Sequence, residues 1–93
     1  MTIAARIESK LKQALTPARL VVTDDSAKHA GHAAARPEGE THFTVEIVSA
    51  AFDGRPRVAR HRMIYELLAD EIADGVHALA LKTLTPGEDA RQG

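Results

Sequence analysis

Between His42 and Val48 the side chains alternate: Phe43, Val45 and Ile47 are large and apolar, while His42, Thr44 and Glu46 are polar. Successive side chains of a β-strand point to opposite faces, so a period of two sorts these residues onto a dry side and a wet side. A strand with one buried face answers this pattern. The rest of the chain must then supply a second layer to cover Phe43, Val45 and Ile47.

That layer is helical. Ile3, Ile7, Leu11, Ala14 and Leu15 recur at three- and four-residue spacing, which predicts a helix over 3–15 with Thr2 as N-cap and Thr16-Pro17 as stop. Leu20-Val21-Val22-Thr23, closed by Asp24-Asp25-Ser26, reads as a first strand, antiparallel to 42–48. After the Asp53-Gly54 turn, a second helix is expected from Pro56 to Asp74, with Ile64, Leu67, Leu68 and Ile72 as its apolar stripe and Gly75 as its stop. Val76 to Leu84 is the third strand, parallel to the second because a helix joins them. Thr85-Pro86-Gly87-Glu88 fits a capping box opening a short last helix, with a frayed end over 88–93. The expected fold class is α/β (α+β): a single domain over 1–93, order α-β-β-α-β-α, with a three-stranded mixed sheet and helices on one face. A long functional loop is expected over 25–40.

Composition narrows the chemistry. A chain of 93 residues makes one domain and buries roughly 60–68% of its unfolded surface. The 44% hydrophobic content includes seventeen alanines and no Trp, so a deep catalytic pocket is hard to build. Net charge is −1, which gives no global pull toward nucleic acid or membrane. Cysteine is absent, which removes disulfides, thiol catalysis and thiolate metal ligands. No leader or spanning run is read at Met1-Thr2-Ile3-Ala4, so the expected location is cytoplasmic.

Five histidines remain as the groups with metal affinity near neutral pH. His77 stands at the mouth of the third strand, readable either as a core imidazole held by backbone or as a side chain reaching solvent. His29 and His32 form a His-x-x-His pair, readable as two metal ligands or as two solvated loop residues. His42 is expected to be solvated on the open face, and His61 to be packed within the helical stripe. Arg55, Arg57, Arg60 and Arg62 crowd the start of the second helix, as a phosphate-contacting patch or as snorkelling residues flanking the stripe. No set of nucleophile, base and orienting group is identifiable, so no enzyme is expected.

Taken in order, several segments resemble the BolA family. They are Asp24-Asp25-Ser26 with His29, Gly39-Glu40-Thr41-His42-Phe43, Val48-Ser49 with Phe52 and Gly54, Arg60-His61-Arg62-Met63-Ile64-Tyr65, and Val76-His77-Ala78-Leu79-Ala80-Leu81. The resemblance implies a class II KH-like fold. It also implies partnership with a monothiol glutaredoxin, the two proteins sharing a [2Fe–2S] cluster in iron–sulfur trafficking. The cluster ligands it implies are His77 and His29, with His32 as the alternative in the loop, and no cofactor is expected on the isolated chain. The resemblance also implies an alternative, a DNA-binding transcriptional regulator of stress response and cell shape, which would use the Arg55–Arg62 segment. The Gly-x-x-Gly loop of KH domains is missing, and Asp53-Gly54-Arg55-Pro56 stands there instead. A metal-free protein-interaction domain is the third reading. No membrane and no small-molecule substrate are expected. Chemistry favours the first reading: two histidines can replace two cysteines on one iron of a cluster, so a chain without thiols supplies half a ligand set and needs a partner for the rest.

Overall fold

The computed structural model describes residues 2–25 and 42–92. Its elements run α1 (Ile3–Leu15), β1 (Arg19–Asp24), β2 (His42–Val48), a 3-10 turn (Ala50–Phe52), α2 (Arg57–Leu67), α3 (Ala69–Ala73), β3 (Ala78–Leu84) and α4 (Pro86–Gln92). The sheet order is β1-β2-β3, with β1 antiparallel and β3 parallel to the central strand, so the expected mixed sheet is present.

The alternation in β2 acts as the pattern requires. Phe43, Val45 and Ile47 are buried, and they meet Ile3, Ile7, Leu11 and Leu15 of α1 with Ile64 and Leu68 in one core. Each such side chain contributes about 1.5–3 kcal/mol on burial. Thr2 caps α1 by accepting a hydrogen bond from the Ala5 amide at 3.0 Å. Thr16 ends the helix in the left-handed region at φ 43°. Its amide donates to the Lys12 carbonyl, and the Ser49 hydroxyl donates to the Leu15 carbonyl at 2.6 Å. These bonds hold a conformation that a β-branched residue rarely adopts.

One expected element differs. The helix foreseen from Pro56 to Asp74 breaks at Leu68 (φ −101°, ψ 18°) into α2 and α3. The break accompanies a buried charge. Glu71 of α3 is fully buried, and accepts from Arg6 Nε at 2.9 Å and Lys10 Nζ at 2.8 Å, both on α1. Arg6 also reaches Asp74 at 2.9 Å. Burial pushes the Glu71 carboxyl up, but Lys10, its own backbone amide and Arg6 outweigh this and hold it below the usual carboxylate range. At the C-terminus, α4 is helical through Gln92.

That last helix is held by a buried guanidinium. Arg60 is only 6% exposed. Its Nε donates to the Arg55 carbonyl at 2.8 Å, and Nη1 donates to the Thr83 carbonyl at 3.0 Å and to Glu88 Oε1 at 2.7 Å. Nη2 donates to Glu88 Oε2 at 3.2 Å, and the guanidinium carbon lies 5.9 Å from the Phe52 ring centroid. Glu88 and Thr85 complete the expected capping box, each accepting the other's amide. On the far side of the sheet, Arg19 pairs with Glu46 and with Asp89 of α4. Val48 and Leu84, on the same face as Glu46 and Lys82, are buried at that end. Thus, among the described residues, α4 alone closes one end of this face.

The Arg60 hydrogen bond, first, and the Thr85 amide lower the Glu88 carboxyl from 4.5 to about 2. A carboxylate depressed in the folded state stabilises the fold above its unfolded value, and that contribution is lost as pH falls through the folded value. Acid unfolding should therefore show a loss of stability between about pH 4.3 and pH 2 that Glu88→Gln reduces. Urea denaturation at pH 6, 4, 3 and 2.5 measures this, and identical pH profiles for the two proteins would exclude Glu88 as a source. Arg60→Leu should cost about 2–3 kcal/mol at pH 7 through its charge-assisted bonds.

Candidate functional site

One end of the sheet gathers the histidines. The last residue of β1, Asp24, pairs with Phe43, and the Asp25 amide donates to the His42 carbonyl at 2.7 Å. In the parallel register His42 stands opposite Ala78, so the first residue of β2 comes beside His77. The two imidazole centroids are 6.4 Å apart, with the rings tilted by 42°. His77 lies just before β3 and is exposed, which selects the solvent-reaching side of its two readings.

The immediate surroundings of His77 are mixed, with apolar side chains next to a tyrosine. A cavity of about 140 Å³ is lined by Tyr65, Ile72, Val76, His77, Ala78 and Leu79. The Tyr65 hydroxyl donates to the Leu79 carbonyl at 3.3 Å, which ties α2 to the outer edge of β3. On the open face the Thr44 hydroxyl donates to the Asp25 carboxylate. An exposed imidazole at a strand start is carried by a rigid backbone and remains within reach of a second protein. Among the described residues no group of three or more His, Cys, Asp or Glu side chains could hold a metal ion. Of the two imidazoles at this end, His77 is exposed and His42 is half-buried.

The other sequence candidates fall in three places. His29, His32 and all of the expected 25–40 loop after Asp25 lie outside the described residues. The two anchors of that segment, Asp25 and His42, stand at the sheet end that carries His77. His42 itself is half-buried and faces His77, where the sequence suggested a solvated position. The parallel pairing of β2 and β3 was the available signal, because it sets the first residues of both strands side by side. His61 is half-exposed and lines a cleft beside β3 with Arg57, so it is not the packed core residue expected. The proposed basic patch also changes. Arg55, Arg57 and Arg62 are exposed, but Arg60 is buried and its donors are engaged by Arg55, Thr83 and Glu88. It cannot contact a nucleic acid without dismantling that network.

Comparison with known proteins gives consistent results. Residues 11–88 match the family described as BolA-like protein. The chain is 52% identical over 87 residues to SufE-like protein 1, chloroplastic/mitochondrial, of Arabidopsis thaliana, covering 89% of this chain and 24% of that protein. It is 47% identical over 87 residues to Protein BOLA1, chloroplastic, of the same plant, covering 91% of this chain and 54% of that one. The chain therefore spans about a quarter and about half of these two relatives. The solved BolA domain of SufE1 from Arabidopsis thaliana superposes with a TM-score of 0.82 at 49% identity, covering 91% of this chain and 93% of that one. Among the described residues no helix is long and apolar enough to cross a membrane.

An exposed imidazole with no core role predicts a near-silent substitution. His77→Ala should change the unfolding free energy by less than about 0.5 kcal/mol, whereas Phe43→Ala, deep in the core, should cost about 3–5 kcal/mol. Urea denaturation of both variants checks this, and a large loss for His77→Ala would make it a structural residue.

Proposed function

The chain belongs to the BolA-like protein family, and we propose from this premise that it is a non-enzymatic adaptor that pairs with a monothiol glutaredoxin and shares a [2Fe–2S] cluster with it. The observation that carries this reading is the exposed His77, set beside His42 at the sheet end where the segment holding His29 and His32 is anchored. The chemistry of the donors supports it. Imidazole ligates iron in clusters where two histidines replace two cysteines. This chain has five histidines and no cysteine, so the thiolates of a complete set would come from the partner.

In the mechanism, each residue has a defined part. His77 presents an imidazole from a fixed strand start, so little orientational freedom is lost when it ligates. His29 is the second ligand, with His32 as its substitute three residues on. The cluster, when bound, supplies iron sites that accept nitrogen donors. The apolar wall of Ile72, Val76 and Leu79 behind His77 limits water at that side of the site. His42 faces His77 and restricts the space its ring can occupy. Trafficking of this kind places the protein in a compartment where glutaredoxin is present, the cytoplasm in the reading taken here.

The DNA-binding alternative is weaker. With Arg60 engaged internally, Arg55, Arg57 and Arg62 are left as phosphate contacts. Three contacts give a salt slope of about −2.7 and non-specific affinity on the order of 10⁻⁴–10⁻⁶ M.

Reconstitution of the complex tests the reading. The protein alone should remain colourless, and with a monothiol glutaredoxin it should give a visible-absorbing [2Fe–2S] heterocomplex. His77→Ala should abolish or strongly alter that spectrum. His29→Ala should weaken it less, and the His29→Ala/His32→Ala double variant should match His77→Ala. A cluster held stoichiometrically by the chain alone, or an unchanged spectrum for folded His77→Ala, would refute the shared-ligand arrangement.

A further inference from the structure

We propose that the cleft between the start of α2 and β3 binds a small phosphate-bearing anion, at a site separate from His77. The cleft has a volume of about 190 Å³, and its lining includes Arg57, His61, Leu81, Thr83 and Gln92. A water needs only about 10–15 Å³ of such space, so the cleft admits a polyatomic ligand.

Its most telling feature is Thr83. This residue is 3% exposed, and its Oγ1 is buried with no hydrogen-bond partner among the described residues. A buried hydroxyl left unpaired is costly and uncommon, and calls for a partner. The Thr83 carbonyl is already taken by Arg60, and Thr83 shares the helix-facing side of β3 with Leu81, so its side chain stands under α2. A hydroxyl can donate to an anion oxygen as readily as to a water.

The charge of the cleft then selects the ligand. Arg57 and His61 lie one turn apart on α2, which puts both on the face that overlooks β3. Neither side chain has a hydrogen bond or ion pair among the described residues, in contrast to Arg60 beside them. Arg57 is the first residue of an eleven-residue helix whose N-cap, Pro56, provides no side-chain cap and whose first turn has no acidic residue. The Ala59 amide donates to the Pro56 carbonyl, while the Arg57 and Val58 amides have no cap at the positive end of the helix dipole, where an added arginine is unfavourable unless an anion joins it. Among the described residues no acidic side chain lines the cleft. A guanidinium, an imidazole and a buried hydroxyl together line the cleft as a donor set for the several acceptor oxygens of a phosphate group.

The test uses the ¹⁵N-labelled full chain, titrated at constant ionic strength with inorganic phosphate and, separately, with glycerol phosphate, which distinguishes a free ion from the phosphate end of a small metabolite. Saturable shifts of the Arg57, Val58 and Thr83 amides are expected with one or both. Thr83→Val keeps the side-chain shape and removes the hydroxyl, and should weaken binding about two- to tenfold, the range of one hydrogen bond. Arg57→Gln should weaken it about tenfold or more. Arg62→Gln, off the cleft, should leave it unchanged. In urea denaturation, phosphate should stabilise the native chain and protect Thr83→Val less. Shifts that chloride reproduces, equal phosphate protection of Thr83→Val, or a response to duplex DNA with none to either phosphate would each overturn the proposal.

Discussion

A guanidinium removed from water must find acceptors for its N–H groups or the fold pays heavily for the burial. Arg60 finds them in three elements at once: the Arg55 carbonyl before α2, the Thr83 carbonyl on β3 and the Glu88 carboxylate on α4, with the Phe52 ring beside it. Phe52 and Thr83 are already held by the core and the β2–β3 ladder, whereas Arg55 and Glu88 come from segments outside the core. The start of α2 is fixed relative to β3, and α4 is drawn back onto the sheet end. A planar fork with fixed donors can organise several elements in a way that a lysine cannot. The cleft at Arg57 and Thr83 lies directly beside this network, since Thr83 is one of its acceptors.

A second buried charge works on the opposite side of the core. Glu71 is carried inward by α3 and met by Arg6 and Lys10 of α1. Its two cations are partly exposed, so the burial cost falls mainly on the carboxylate. The turn at Leu68 keeps the apolar stripe in place, since the Leu68 amide still donates to the Ile64 carbonyl and the Ile72 amide to the Leu68 carbonyl. Ile64 and Leu68 remain in the core while Glu71 turns toward α1.

These constraints act away from the sheet end that carries the histidines. Among the described residues no helix closes that end: β1 ends there, β2 and β3 begin there, and His77 is exposed beside His42. The far end is covered by α4, so Val48 and Leu84 are buried while Ala78 is exposed. The chain has five histidines and no cysteine, so the two side chains that meet at this end are imidazoles with no thiolate of the chain beside them.

The sequence by itself determined the layers. Period-two alternation in 42–48 and four-residue spacing in 3–15 are local patterns, and the strand and helix they specify stand within a residue of the expected bounds. The parallel pairing of β2 and β3 was also legible, because a helical crossover permits little else. The family was readable from residues spread along the chain. What the tertiary structure alone decided was the fate of polar groups whose partners are remote. Arg60 looks no different in sequence from Arg57 or Arg62, yet its partners are Thr83 and Glu88, over twenty residues away, and it is buried. Glu71 finds Arg6 and Lys10 more than sixty residues back, and with that the expected long helix is two. His42 gained its neighbour His77 only through register. Apolar burial follows a period that a short window of sequence reveals, whereas a charge is settled by whichever opposite charge the completed fold brings within three ångströms.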